Sequence, residues 1–173
     1  FKTILMNKLF GIIGWSGSGK TDLICRLISS YKKKKITIGS IKHSHHNFEI
    51  DKKGKDSFNH ILSGSEEVII YNERKYALIS NKLNKNIEFN EVIKKFSKNI
   101  DLILVEGLKG LNINKIEVYR TKLNKSLLFK NDKNVKAIVC DKPNKEIIKS
   151  GLPIFEFSQT EKIQDFISKK VKI

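Results

Sequence analysis

Cysteine, proline and long apolar runs are all scarce in this sequence. Its 173 residues include only two cysteines and two prolines. Cys25 and Cys140 lie far apart and each sits in an apolar run, so a disulfide has little support and a reducing cytoplasm is the plain interpretation. No apolar run approaches the roughly 18 residues of a membrane span, and the N-terminus has no secretory signal pattern. We therefore expect a cytoplasmic protein without a membrane segment.

Arginine is scarce as well, although the chain is strongly basic. The formal net charge is +16, but Arg26, Arg74 and Arg120 are the only arginines among 34 basic residues. Arginine is the forked donor suited to phosphates and base edges, whereas lysine is a hydrated point charge. The lysines are spread over the whole chain without interleaved aromatic residues, so we predict a solvated basic surface. A nucleic-acid-binding module, whose affinity would fall steeply with salt, is the less favoured alternative.

The order of the apolar runs predicts an α/β fold. A hydrophobic fraction of 39% suits one core in a chain of this length, so we expect a single domain over 1–173. Leu9–Ile13 reads as a strand, Thr21–Ser30 as a helix and Ile36–Ile41 as a second strand, which is the βαβ unit of a parallel sheet. Further strands are predicted over Asp101–Val105, Ile116–Tyr119, Val135–Cys140 and Ile154–Phe157, and further helices over Glu91–Lys98 and Thr160–Val171.

An antiparallel hairpin interrupts this parallel pattern. Glu67–Tyr71 and Tyr76–Ser80 are strand-like runs separated by four residues. We expect them to form an antiparallel hairpin extension over 66–81.

The clearest chemical signal is a phosphate-binding loop. Residues 14–21 fit the pattern G-x-x-x-x-G-K-S/T, with a predicted strand before them and a helix after them. Glycines let the loop turn its N–H groups inward, which makes an anion site at the helix N-terminus. Lys20 is expected to reach the β- and γ-phosphates of a nucleotide, and the Thr21 hydroxyl to bind Mg²⁺. The predicted nucleotide-binding residues of the loop are Gly14, Trp15, Ser16, Gly17, Ser18, Gly19, Lys20 and Thr21.

This loop predicts the fold of P-loop NTPases, a mostly parallel sheet with helices on both faces.

Asp101–Glu106 is an apolar strand that ends in an acid, and ligands lie beyond the carboxyl ends of such strands. Glu106 is therefore predicted to hold Mg²⁺ together with Thr21, and to orient an attacking water. We assign the catalytic roles to Lys20 and Glu106. Lys109 follows closely and is expected to meet a phosphate or to form a salt bridge with Glu106.

Histidines and charged residues follow the second strand. Lys42, His43 and His46 are predicted to face a phosphate or another substrate anion, and His43, His45 and His46 together are a weak candidate for a transition-metal site. Lys55, Asp56 and Ser57 either bind a second ligand or steady a loop, Ser57 capping a helix that starts at Phe58.

Asp141 follows the strand Val135–Cys140, where base-reading loops of nucleotide-binding proteins often lie. Its carboxylate is placed to accept from a guanine edge, although a simple Pro-Asn turn at Pro143 and Asn144 explains the segment equally well.

Together these motifs resemble one family. The phosphate loop with Trp15, the histidine run after Ile41, Asp51, the Gly54–Ser57 segment, Arg74, and the strand ending in Glu106 with Lys109 stand in one order. This sequence is similar to the molybdopterin-guanine dinucleotide biosynthesis protein B family, MobB, well over Leu9–Arg120 and weakly beyond.

The resemblance implies a GTP-binding adaptor with weak Mg²⁺-dependent hydrolysis. It implies that the protein assists a MobA-like guanylyltransferase, the enzyme that converts molybdopterin to the guanine dinucleotide form of the molybdenum cofactor. It also implies a homodimer in which the hairpin of each subunit joins a shared sheet. Similar proteins use the surface near the histidine run and Gly54–Ser57 to meet anionic ligands, with molybdopterin implied as one of them, and Arg74 is a further candidate for anion binding. One departure is Asp22, where relatives usually carry a hydroxyl residue; we expect its carboxylate to point to solvent.

Two other functions fit parts of the sequence. A small-molecule kinase would use the same phosphate loop, but it needs a lid with several arginines, and no cluster of arginines is present. A metal-insertion NTPase would use the three neighbouring histidines. Both are less favoured than the GTP-binding adaptor.

Overall fold

The computed structural model describes residues 6–44, 48–81 and 86–173. They form two compact units, one of residues 6–43 and 96–173 and the other of the described residues between 44 and 95. In chain order the strands are β1 Leu9–Ile13, β2 Ile38–Lys42, β3 Glu67–Tyr71, β4 Tyr76–Ser80, β5 Leu102–Glu106, β6 Lys115–Tyr119, β7 Val135–Cys140 and β8 Ile154–Phe155. The α-helices are α1 Lys20–Lys33, α2 Asp56–Leu62, α3 Phe89–Ile93, α4 Lys145–Lys149 and α5 Thr160–Val171.

The first unit is built on a six-stranded sheet. Its strand order is β2-β5-β1-β6-β7-β8, and every neighbouring pair is parallel. All five residues of β1 are buried, as are the first four of β5, which agrees with their continuous apolar sequence. The predicted α/β fold is thereby confirmed.

Helices cover both faces of this sheet. Leu23 and Leu27 of α1 and Ile163 of α5 pack with Phe10 on one face. On the other face, Ile147 of α4 packs in one cluster with Ile138, Cys140, Tyr119 and Leu127. The sheet is therefore the central layer, and its loop edge is left open for a ligand.

The second unit contains the antiparallel hairpin. β3 pairs with β4 over all five residues, from Glu67 opposite Ser80 to Tyr71 opposite Tyr76. The side chain of Asn72 accepts hydrogen bonds from the N–H groups of Arg74 and Lys75, which closes the turn locally. Both strands have the predicted bounds.

Two local predictions in this unit are wrong. The helix expected over Glu91–Lys98 is α3, which ends at Ile93, because the N–H of Lys95 bonds the carbonyl of Val92 in a tighter turn. Ser57 does not cap a helix: α2 begins at Asp56, with Lys55 at the N-cap position, so Ser57 lies within the first turn.

Within the described residues no helix is long and apolar enough to cross a membrane.

A buried ion pair ties β6 to the loop before β7. The side chain of Lys115 is 1% exposed, and its ammonium donates to the carboxylate of Asp132 and to the carbonyl of Lys109. Burial opposes ionisation of Asp132, but hydrogen bonds from Lys115 and Asn134 hold its pKa below the ordinary value. The pair is fully hydrogen-bonded, which is the condition under which a buried ion pair is tolerated.

We predict that Asp132→Asn lowers the free energy of unfolding by about 3 kcal/mol, because it leaves the Lys115 charge buried without its counter-ion. Urea denaturation at pH 7 measures this loss. Glu146→Gln is the matched control, because Glu146 pairs with Lys130 on the surface. The control should cost less than about 1 kcal/mol. Equal losses of stability from the two substitutions would contradict the stabilising role of the buried Lys115–Asp132 pair.

Candidate functional site

The phosphate loop runs from Gly14 to Gly19, between β1 and α1. Gly14 has φ +153°, and a Cβ there would lie 2.3 Å from the carbonyl oxygen of Val118 and 2.6 Å from Ser18 Oγ. Gly19 has φ +99° at the N-cap of α1. Only glycine fits these two positions, so the backbone holds a tight concave turn against β6.

Lys20 lies inside this turn. Its Nζ donates to the carbonyl oxygen of Trp15 at 2.9 Å. Burial lowers the pKa of Lys20; Glu106 acts in the opposite direction, and the charges of Lys109 and Lys42 lower it further. Three ammonium groups thus share one edge of the sheet with a single carboxylate, and an anion bound there would relieve their repulsion.

Thr21 and Glu106 meet beside the loop. Glu106 ends β5 and stands opposite Ile12 of β1 in the parallel register, so its carboxylate lies next to the start of α1. The Thr21 hydroxyl donates to Glu106 Oε1 at 2.9 Å. A hydroxyl and a carboxylate oxygen are suitable ligands for Mg²⁺, which takes few protein oxygens and completes its shell with water and phosphate. These two residues therefore fit the ion.

Lys109 contacts an aromatic ring instead of Glu106, which is one of its two predicted partners. Its ammonium lies over the indole ring of Trp15, 3.7 Å from the ring centroid, and not on the Glu106 carboxylate. Trp15 Nε1 donates to the carbonyl oxygen of Ser126 at 2.8 Å, which holds the indole in place. The cation–π contact holds the Lys109 ammonium beside the loop.

Lys42 and His43 flank Glu106 on its other side. Lys42 stands opposite Glu106 in the register of β2 and β5, and the N–H of His43 donates to the Glu106 carbonyl oxygen at 3.1 Å. His46, predicted as an anion ligand, lies outside the described residues, as does His45. In the part of the chain that is described, no group of three or more His, Cys, Asp or Glu residues is arranged to hold a metal ion.

The other predicted anion-binding residues belong to the second unit. Asp56 and Ser57 form the first turn of α2, directly after Lys55. Arg74 lies exposed in the hairpin turn. The structure thus brings the first three together and places Arg74 at a different element.

Asp141 braces a loop. Its Oδ1 accepts hydrogen bonds from the N–H and the hydroxyl of Thr121, at 3.0 and 2.9 Å, and from the N–H of Lys142 at 2.9 Å. Burial opposes its ionisation, but these hydrogen bonds lower the pKa of Asp141 below the ordinary value. It therefore stays charged at neutral pH and holds the chain that follows β6.

Three residues near the loop have no role predicted from the sequence: Arg26, Arg120 and Phe157. Arg26 donates to the Phe157 carbonyl oxygen and the Thr160 hydroxyl, and pairs with exposed Asp22 at 3.0 Å. Arg120 lies over the Phe157 ring. The only sequence signal was the place of Arg120 directly after a predicted strand, at the edge where ligands bind.

Comparison with known proteins gives one consistent result. A family model described as molybdopterin guanine dinucleotide synthesis protein B matches residues 9–141. A Haemophilus influenzae protein named molybdopterin-guanine dinucleotide biosynthesis adapter protein is 36% identical over 171 residues, which are 96% of this chain and 93% of that protein. The Escherichia coli protein of the same name is 31% identical over 168 residues, covering 94% and 92% of the two chains.

Solved structures support the fold. A Bacillus subtilis MobB structure superposes with a TM-score of 0.69 at 21% identity and covers 94% of this chain and 97% of that one. A MobB homologue from Bacillus stearothermophilus gives 0.67 at 16% identity, covering 96% and 99%.

Proposed function

The chain belongs to the family of molybdopterin guanine dinucleotide synthesis protein B, and we propose that it acts as an adapter in the synthesis of that dinucleotide. The observation that supports the proposal is the hydrogen bond from Thr21 to Glu106 beside the phosphate loop, because this arrangement suits a nucleotide and its cation. The names of its relatives, at 36% and 31% identity over nearly the whole chain, supply the biosynthetic context.

The nucleotide that we propose is GTP. The Lys20 ammonium and N–H groups of the loop bind the β- and γ-phosphates, while the Ser18 N–H closes the loop by donating to the Trp15 carbonyl oxygen. Thr21 and Glu106 would hold Mg²⁺, which would neutralise part of the negative charge of the phosphates. Lys42, His43 and Lys109 supply further donors at the same edge for a phosphate of molybdopterin. The preference for guanine follows from the resemblance to the family.

Hydrolysis by this site is slow in our proposal. Glu106 orients the attacking water and accepts its hydrogen bond. Fast P-loop GTPases use a glutamine to position that water. Gln159 and Gln164, the two glutamines of the chain, serve the structure elsewhere: Gln159 accepts from the N–H of Glu156, and buried Gln164 accepts from the Ser30 hydroxyl.

One prediction of this proposal concerns nucleotide choice. Isothermal titration with Mg²⁺ should show GTP binding more tightly than ATP, and Lys20→Ala should weaken GTP at least about tenfold, because a charge-assisted bond to phosphate is lost. Lys169→Ala, a substitution at an exposed position in the last turn of α5, removes the same charge and should leave affinity unchanged. Equal binding of ATP would refute the guanine preference.

A second prediction separates binding from hydrolysis. Glu106→Gln keeps the shape of the side chain but removes its charge, so it should slow Mg²⁺-dependent phosphate release at least about tenfold, while GTP affinity changes less. Single-turnover measurements over a range of enzyme concentrations give both quantities, the rate at saturation and the affinity from its concentration dependence. Unchanged release would show that Glu106 has no part in the reaction.

We also propose a homodimer formed through the hairpin, with a MobA-like guanylyltransferase as its partner protein. Ile69, Tyr71 and Tyr76 are 62%, 80% and 72% exposed. They share one face of the hairpin, because Tyr71 stands opposite Tyr76 and Ile69 lies two residues before Tyr71. A two-stranded hairpin is marginally stable alone, and exposed apolar patches of this kind mark interfaces.

The test is sedimentation equilibrium with and without the guanylyltransferase. Alone, the wild type should show twice the 19.9 kDa chain mass, and the mixture a heavier complex. Ile69→Lys should give monomers. Ile148→Lys is the matched control, since Ile148 of α4 is also 62% exposed, and it should remain dimeric. A wild-type monomer would rule out the dimer, and a mixture without a heavier species would rule out this partner.

A further inference from the structure

Arg120 and Phe157 form a wall beside the phosphate loop. The Arg120 guanidinium carbon lies 3.7 Å from the centroid of the Phe157 ring. A Cβ placed on Gly19 would lie 3.2 Å from Phe157 Cε1 and 3.6 Å from Arg120 Nη2. The pair therefore packs directly against the last residue of the loop.

Hydrogen bonds from neighbouring residues hold both parts of this wall in place. Arg26 of α1 donates to the Phe157 carbonyl oxygen at 2.6 Å and to the Thr160 hydroxyl, which fixes the segment after β8. Asp141 binds both the N–H and the hydroxyl of Thr121, the residue after Arg120. Both members of the pair are thus positioned before any ligand arrives, which lowers the entropy cost of binding.

The guanidinium itself has hydrogen-bonding capacity to spare. Within the described residues its contact is the Phe157 ring, and no hydrogen bond or ion pair engages its N–H groups. Arg26, by contrast, donates to three groups. An arginine that is held in place but makes no polar contact, next to an anion site, is placed for a ligand.

The strand order shows which end of the ligand lies there. Glu106 and Lys42 end β5 and β2, on one side of β1, and the Thr21–Glu106 contact marks that side as the place for the cation and the terminal phosphates. Arg120 and Phe157 follow β6 and β8, on the other side of β1. A nucleotide lying across the loop therefore has its nucleoside on the Arg120 side.

We propose that Arg120, backed by the Phe157 ring, is a nucleoside-binding residue whose planar guanidinium stacks on the base. This rests on the nucleotide-binding function proposed above. Stacking uses the face of any base, so Arg120 adds affinity without selecting guanine. With Arg120 in this role, Asp141, whose Oδ1 accepts three hydrogen bonds within its own loop, is not needed as the base contact.

The test compares GTP with inorganic tripolyphosphate, which shares the phosphates but has no nucleoside. Isothermal titration with Mg²⁺ is carried out on the wild type, Arg120→Ala and Arg120→Lys. Loss of one base stack should weaken GTP on the order of tenfold in both variants, and tripolyphosphate by no more than about twofold. Lys169→Ala is the control for the change in net charge.

Each outcome decides between the two proposals. If the wild type fails to bind GTP, the nucleotide-binding function and this inference both fall. If the wild type binds GTP and Arg120→Ala binds it equally well, only this inference falls. An equal loss of tripolyphosphate affinity would make Arg120 a phosphate ligand or a support of the loop. Full GTP affinity in Arg120→Lys would show that the charge of the side chain is used and not its planar shape. Either result overturns the stacking proposal.

Discussion

The parallel pairing of β1 with β5 on one side and β6 on the other is the constraint on which the site depends. It sets Ile12 beside Glu106 and places Val118 of β6 against Gly14. The first contact brings the acid to the Thr21 hydroxyl, and the second leaves room for nothing larger than glycine at the start of the loop. A slip of one residue in β5 would turn the Glu106 side chain to the other face of the sheet.

Polar groups buried near this edge hold the loops that surround the phosphate site. Glu117 of β6 is fully buried, and its two carboxylate oxygens accept the N–H groups of Leu128 and Phe129 at 2.8 Å each. Burial raises the pKa of Glu117, and these hydrogen bonds oppose the rise. The two hydrogen bonds to Glu117 hold the chain next to Ser126, whose carbonyl oxygen accepts a hydrogen bond from the Trp15 indole N–H. The position of the indole, and of the Lys109 ammonium over it, thus depends on a carboxylate inside the sheet.

Much of the fold and part of the site were predictable from sequence because their signals are local. β1, β3, β4, β7 and α5 have the predicted bounds, since each is a continuous or alternating apolar run that ends at a turn residue or cap. The phosphate loop is a contiguous motif, and Glu106 was found because an acid ends an apolar strand. α3 was misjudged because its apolar spacing continues after its hydrogen bonds have changed to a tighter turn. The partners of Arg26 and Asp141 were missed because no pattern along the chain relates α1 to Phe157, or the end of β7 to Thr121.

Residue patterns at short spacing were sufficient to predict the phosphate loop, the acid at the end of β5, the order of the strands, and the family, whereas helix α4 carried no such signal. These depend on residue type at short spacing, where backbone geometry permits few alternatives. No pattern along the chain shows that Lys109 lies on Trp15, that Asp141 holds Thr121, or that Arg120 stacks on Phe157 beside Gly19; these contacts are seen in the folded protein. Each of these contacts joins side chains from separate loops, and it is the packing of parallel strands in the order β2-β5-β1-β6-β7-β8 that brings those loops to one edge.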